Sequence, residues 1–489
     1  MKFVSTRDIS KREYNSYEVI RKGISPDGGL FFPKDHVSFS SDELLSLKDK
    51  NYAQRAAYII SKYLTDYSQP GLSYACANAY SPDKFGPNPA PVTKAGKLNF
   101  LELYHGPTSA FKDMALQLMP RLLSLAIEKS GVKEDALILV ATSGDTGKAA
   151  LEGFADVPRT KIMVFYPEGG VSDIQKKQML TQKGENVNVV GVKGNFDDCQ
   201  TGVKNIFAKE SILSELNKTG SFFSSANSIN FGRLVPQVVY YISACVDMNL
   251  KEGEVADITV PTGNFGNILA AYMAKKAGAP IGRLICASNK NKVLADFFNT
   301  GVYDKRREFY LTSSPSMDIL VSSNLERLIW LVAGPEKTAM YMKNLKEKGI
   351  FEVDAEVLKV LQEDFYAGFA DEKDCFATIK KTFEENNYLI DTHTAVGAYV
   401  AEKYIKETAS NNTMLVASTA SPFKFSPSVC RALGVNCGEG FDAMDTLSEF
   451  TRIAVPKHLE ILRNERYKFY KVIPTCQMAE EVLEFARKK

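Results

Sequence analysis

Long apolar runs, metal-ligand spacings and a charge imbalance are all missing from this chain, and each absence narrows what it can be. No apolar stretch approaches the roughly 20 residues needed to span a bilayer, and the start, MKFVSTRDISKREY, has no apolar core of the kind found in a secretory leader. The sequence therefore predicts a protein outside the membrane, in the cytoplasm. Four histidines show no HxxxH or HExxH spacing, and eight cysteines run from Cys76 to Cys476 without a CxxC. Neither a zinc site nor a disulfide framework is indicated, which fits a reducing compartment. Sixty Lys and Arg against 58 Asp and Glu leave a formal charge of +2, so no global field argues for nucleic acid or an anionic membrane. Small molecules are the expected partners.

What is present is ordinary for a globular enzyme: 489 residues, 45% apolar and 24% charged, enough for two or three domains with large cores. Residues 1–96 read as a mainly helical N-terminal domain, with a Gly- and Pro-punctuated turn at SPDGGLFFP (Ser25 to Pro33). The stretch from Ser81 to Lys97, SPDKFGPNPAPVTKAGK, reads as the crossing into a second domain, 97–489. There, short unbroken apolar runs alternate with helical segments: ALILVA (136–141), KIMVFY (161–166), NVNVVGV (186–192), SFFSSA (221–226), ADITVPT (256–262), RLICAS (283–288) and TMLVAS (413–418). Runs of this kind suit parallel strands buried on both faces, and the pattern predicts an open, doubly wound α/β architecture with ligands at the carboxyl ends of strands. A smaller lobe is expected at about 135–235 and a helical insertion at about 335–389.

Two strand-to-helix turns have the chemistry of anion cups. In ADITVPTGNFGNILAAYMAKKAG the turn is Gly263, Asn264, Phe265, Gly266 and Asn267; glycines let backbone amides approach an anion, and the helix start adds its positive dipole end. The turn lacks both GxGxxG and GK[ST], which disfavours a nucleotide. In ALILVATSGDTGKAALEGFA the turn holds Thr142, Ser143, Gly144, Asp145, Thr146 and Gly147; its hydroxyls and amides suit a carboxylate, although Asp145 repels an anion unless it points away or acts only as an N-cap. Either turn could also be a plain tight connection. Between the domain boundary and the second cup, LELYHGPTSAFKDMALQLMPRLLSLAIEK puts Thr108 or Ser109 at an N-cap, Lys112 in the first helical turn and a bend at Pro120. A cation at a helix start opposes the dipole, which favours the neutral amine that Schiff-base chemistry requires.

These segments, in their order, resemble the threonine synthase family of the tryptophan-synthase-β-like (fold type II) pyridoxal-phosphate enzymes. The resemblance covers essentially the whole chain through SYEVIRKGISPDGGLFFP, HGPTSAFKD, ATSGDTGKAA, SANSINFGRL, PTGNFGN, SPSMDILVSSNLERL, DTHTAVG and ASTASPFKFSP. It implies pyridoxal 5'-phosphate as cofactor, Lys112 as the Schiff-base lysine and catalytic base, and Gly263 to Asn267 as the cofactor-phosphate cup. It implies Ser143 to Thr146 as the substrate-carboxylate loop, Asn227 and Arg233 on the substrate phosphate, and Thr419 against the pyridine nitrogen. The implied reaction is the conversion of O-phospho-L-homoserine and water to L-threonine and phosphate by a monomer or homodimer. Ser421 stands where many relatives have histidine. A lyase on the same scaffold, releasing a keto acid, is the alternative enzyme; a binding protein on a retired fold is the alternative class, disfavoured because Lys112 and both cups are intact.

Overall fold

The computed structural model describes residues 1–142, 144–169 and 171–488. Two sheets organise the chain, and in each the strand order reverses beside a site segment. The larger has the spatial order Phe365–Phe369, Ile281–Ser288, Ala256–Pro261, Thr413–Ser418, Leu98–Glu102 and Val92–Ala95, parallel except for the last pair. From Ala256–Pro261 the chain winds outward one way, while its other neighbour, Thr413–Ser418, comes from much later in the sequence. The switch point between these two strands therefore brings the turn at 263–267 next to Thr419, where ligands of open α/β sheets bind.

The smaller sheet is all parallel, in the order Val472–Pro474, Val187–Lys193, Thr160–Pro167, Asp135–Ala141 and Ser221–Ser224. Its switch point lies between the last two strands, so the loop at 142–147 and the segment at 225–233 leave from adjacent carboxyl ends. The interior strand Asp135–Ala141 is buried across 136–139 and Ala256–Pro261 is buried throughout, which is why both read as unbroken apolar runs. All seven such runs in the sequence form strands.

Two departures from the sequence reading have local causes. The region at 335–389, read as helical, also carries two strands, Ile350–Glu352 and Phe365–Phe369. The second is an edge strand of the larger sheet; its FYAGF continues the apolar spacing of the preceding helix Ala355–Asp364, so periodicity hides the change. Around Lys112 the expected bent helix is two helices, Lys112–Leu116 and Met119–Lys129, with Pro120 in the first turn of the second. Neither Thr108 nor Ser109 caps the first. Instead, the backbone amide and Oγ1 of Thr108 donate to the Asp113 carboxylate at 2.8 and 2.7 Å, folding the loop back on the helix start.

The helix Asp145–Phe154 packs against this lysine-bearing helix through Gly153, where any β-carbon would collide with the carbonyl of Leu116. That close approach couples the two sheets at the site. Among the described residues, no helix is long and apolar enough to cross a membrane, and no group of His, Cys, Asp and Glu is arranged to hold a metal.

Candidate active site

Lys112 opens its helix with its side chain 12% exposed, donating to Ser316 Oγ at 3.1 Å and standing 3.8 Å from Asp145 Oδ2. Burial brings its amine down to about 8; Asp145 opposes the shift, and Lys424 and Arg233 add to it. Asp145 does not face an incoming anion. Its Oδ1 accepts from Lys424 Nζ at 2.6 Å and from Gln175 Nε2 at 3.0 Å. Burial works to raise its carboxyl, but the Lys424 and then the Lys112 ammonium outweigh it and hold Asp145 below the usual carboxylate range.

The rest of that loop is built on Thr142, whose Oγ1 accepts from the amides of Gly144 and Gly147 at 3.0 and 3.1 Å. Gly144 leads into the helix with no side-chain cap, and of the first-turn amides Gly147 is taken by Thr142, while those of buried Asp145 and half-buried Thr146 have no side-chain acceptor among the described residues. Ser143, expected in this loop, lies outside the described residues.

The glycine turn joins Ala256–Pro261 to the helix Gly266–Lys276, which also starts without a side-chain cap. Phe265 is its N-cap at φ 63°, held in the left-handed region while its ring stacks against Phe298 and sits near Phe365. Neither Gly263 nor Gly266 needs a positive φ. Gly263 is required by space, since a β-carbon would lie 2.6 Å from the carbonyl oxygen of Ser316. Asn264 contributes its carbonyl to Asn324 Nδ2 at 3.0 Å. Asn267 accepts from the Tyr240 and Tyr241 hydroxyls at 2.7 and 2.5 Å, leaving its buried Nδ2 without a partner among the described residues.

Thr419 is buried just past Thr413–Ser418, and its carbonyl accepts from the Phe111 amide at 2.8 Å, locking the lysine helix to this strand end. The cap of the following turn is Ser421, not Thr419, so the Thr419 hydroxyl is not spent on capping. Arg233 sits in the first turn of Phe231–Met248, 4% exposed. Its Nη1 donates to the Ala226 carbonyl at 2.6 Å and its Nε has no partner; no carboxylate pairs with it among the described residues. Burial brings the guanidinium down to about 10. Asn227, one residue beyond Ala226, is exposed at the mouth of the same segment.

Three groups here went unassigned in the sequence reading although their segments were noticed. Lys424 belongs to ASTASPFKFSP and Ser316 to SPSMDILVSSNLERL. His393, in DTHTAVG, accepts from the Ser316 amide through Nε2 at 3.1 Å while Nδ1 pairs with Asp391 at 2.7 Å, which fixes the Ser316 turn over Gly263. Apart from the His393–Asp391 pair, nothing in local spacing links them, because the contacts that bring them to the site run between elements.

A family model described as Pyridoxal-phosphate dependent enzyme matches residues 89–419, flanked by Threonine synthase N terminus at 2–80 and Threonine synthase, C-terminal at 394–482. Threonine synthase-like 1 of Homo sapiens is 40% identical over 88% of this chain, and the chain spans only 61% of that protein's length. Threonine synthase of Schizosaccharomyces pombe is 34% identical, over 99% of this chain and 97% of its own. The crystal structure of pyridoxal-phosphate-bound threonine synthase from Brucella melitensis superposes with a TM-score of 0.90 at 34% identity, covering all of both chains. The chain belongs to the threonine synthase family of fold type II pyridoxal-phosphate-dependent enzymes.

Proposed function

We propose that this chain converts O-phospho-L-homoserine and water into L-threonine and phosphate, with Lys112 carrying pyridoxal phosphate. The observation that carries the reading is Arg233, a buried guanidinium that among the described residues has an unpartnered Nε and no carboxylate beside it. A buried cation without a counter-ion is costly, and a protein keeps one where an anionic ligand completes it. A phosphate ester suits a planar fork of donors.

The residues fit the cofactor. The orphaned Asn267 Nδ2 and the uncapped amides at Gly266 and Asn267 would hold its phosphate, with Gly263 keeping the turn clear and Asn264 and Phe265 setting its shape. The Thr419 hydroxyl would be a neutral partner for the ring nitrogen. Bound there, pyridoxal phosphate supplies an electron sink that makes the substrate Cα proton acidic. Lys112, whose burial favours the neutral amine, would take that proton. Because Asp145 is already engaged by lysine and the Gly144 amide by Thr142, the substrate carboxylate would fall to the hydroxyls of Ser143 and Thr146 and the first-turn amides of Asp145 and Thr146, with Gly144 keeping the turn open. Arg233 would grip the substrate phosphate from inside and Asn227 from the open side.

We further read residues 1–96 and 97–489 as N-terminal and catalytic domains, working in the cytoplasm as a monomer or homodimer. Eight cysteines, all free, accord with a reducing compartment. Incubation of the cofactor-loaded chain with O-phosphohomoserine tests the activity: threonine and stoichiometric phosphate are expected. A keto acid as the main product would replace the reading with an elimination lyase, and no turnover would overturn it.

A further inference from the structure

The site holds a second buried lysine. Lys424, with no side-chain surface exposed, sits in the short turn Pro422–Phe425 that follows the strand Thr413–Ser418. Its Nζ donates to the Thr108 carbonyl at 2.9 Å and contacts Asp145 Oδ1 at 2.6 Å, so it ties the lysine loop to the helix that carries the second anion cup. The other oxygen of the same carboxylate, Oδ2, is the one that faces Lys112 at 3.8 Å. One buried carboxylate therefore lies between two lysines.

We propose that Lys424 is a positioning residue that neutralises Asp145, so that this carboxylate orients the Lys112 side chain without locking it as an ammonium. The argument rests on charge and distance. A lone carboxylate within about 4 to 6 Å of a buried amine typically raises the amine's pKa by about 1 to 3 units, which is the wrong direction for a group that must be neutral to react. The charged groups facing Lys112 are Asp145 from its helix, Lys424 from the 422–425 turn, Arg233 from the helix Phe231–Met248, and Asp113 on Lys112's own helix. Asp113 is engaged by Thr108, so Asp145 is the anion that matters, and Lys424 is the cation in contact with it. The Thr108 tether fixes Lys424 independently of Asp145, and the Gln175 amide keeps the carboxylate aligned.

This inference rests on Lys112 being the cofactor-bearing amine, and the test separates the two. The full-length, cofactor-free chain is mixed with pyridoxal phosphate across a range of pH, and the rate of covalent capture is followed by absorbance; capture needs a neutral amine. Borohydride then fixes the product for peptide mapping. The wild-type rate is expected to rise through a midpoint near 8. Lys424→Met should move the midpoint up by about 1 to 3 units, and Lys424→Arg should leave it in place. Asp145→Asn should move it down, and the Asp145→Asn/Lys424→Met double variant should return it close to wild type, because charge is again balanced. A lysine that merely staples the fold would lower the melting temperature of Lys424→Met without moving its midpoint, and that result overturns the proposal. If Lys424→Met does not fold, Asp145→Asn decides alone: an unmoved midpoint refutes the idea. Recovery of the label on another lysine, Lys424 included, would instead overturn the assignment of Lys112.

Discussion

Replacing Arg233 by alanine should separate substrate recognition from fold, because the effect on catalysis is large and the terms that act on stability oppose one another. In the free protein the guanidinium is 4% exposed, makes one hydrogen bond to the Ala226 carbonyl and leaves Nε unpaired. Burial brings its pKa from 12.5 to about 10, which corresponds to roughly 3 to 4 kcal/mol of electrostatic cost at about 1.4 kcal/mol per unit. Alanine removes that cost but loses the hydrogen bond, worth about 1 to 3 kcal/mol when its buried acceptor is orphaned, together with side-chain packing. The two sides nearly cancel, so the melting temperature of Arg233→Ala should stay within a few degrees of wild type. Catalysis should not be spared. Loss of a charge-assisted pair to the substrate phosphate costs about 2 to 5 kcal/mol, so kcat/KM with phosphohomoserine should fall by about 30-fold to several thousand-fold. Arg233→Lys should recover part of this, since an ammonium restores charge but not the two-point geometry. Inorganic phosphate should inhibit the wild type competitively, raise its melting temperature, and do neither in Arg233→Ala. Near-normal kinetics with phosphate inhibition intact would refute the assignment of Arg233.

The glycine cup and the central lysine give two further expectations. Gly263→Ala brings a β-carbon to 2.6 Å from the Ser316 carbonyl oxygen and should weaken cofactor affinity at least tenfold, read by absorbance on dialysis; Gly266→Ala, whose nearest outside neighbour is Asn324 Nδ2 at 3.4 Å, should weaken it less, and the reverse order would contradict the geometry. Lys112→Met should stabilise the cofactor-free protein by up to about 3 kcal/mol near pH 7, because burial depresses the amine from 10.5 to about 8. The sign follows from proton binding: below about 8 both states carry the proton and the folded state bears the full cost, between 8 and 10.5 the unfolded chain binds more protons and wild-type stability rises with pH, and above 10.5 the cost is gone. The gap between variant and wild type, measured by denaturant unfolding, should therefore close as pH rises through that window; a constant gap would show that packing rather than charge is responsible.

What could be read from sequence, and what could not, divides along a physical line. Local pattern marks parallel strands buried on both faces, so the runs from ALILVA to TMLVAS all form strands, and each anion cup emerges at the carboxyl end of its strand. The same signal fails for Phe365–Phe369, where a helix runs straight into an edge strand without punctuation. Lys112 and the glycine turn carry local cues, and the family resemblance multiplies them. Lys424, Ser316 and His393 carry none, because their meaning lies in contacts with Asp145, Lys112 and one another that only folding makes. Charge makes the same point more sharply. Over the whole chain the balance is 60 basic to 58 acidic residues, which gives no global field for a polyanionic partner and says nothing about the site. Folding then sets Lys112 and Lys424 against one strongly ionised carboxylate, Asp145, with Arg233 and Asp113 also acting on Lys112, so three cations meet two carboxylates in a buried space. An almost neutral chain thus builds a local excess of positive charge, and a ligand with an anionic group is what that excess selects.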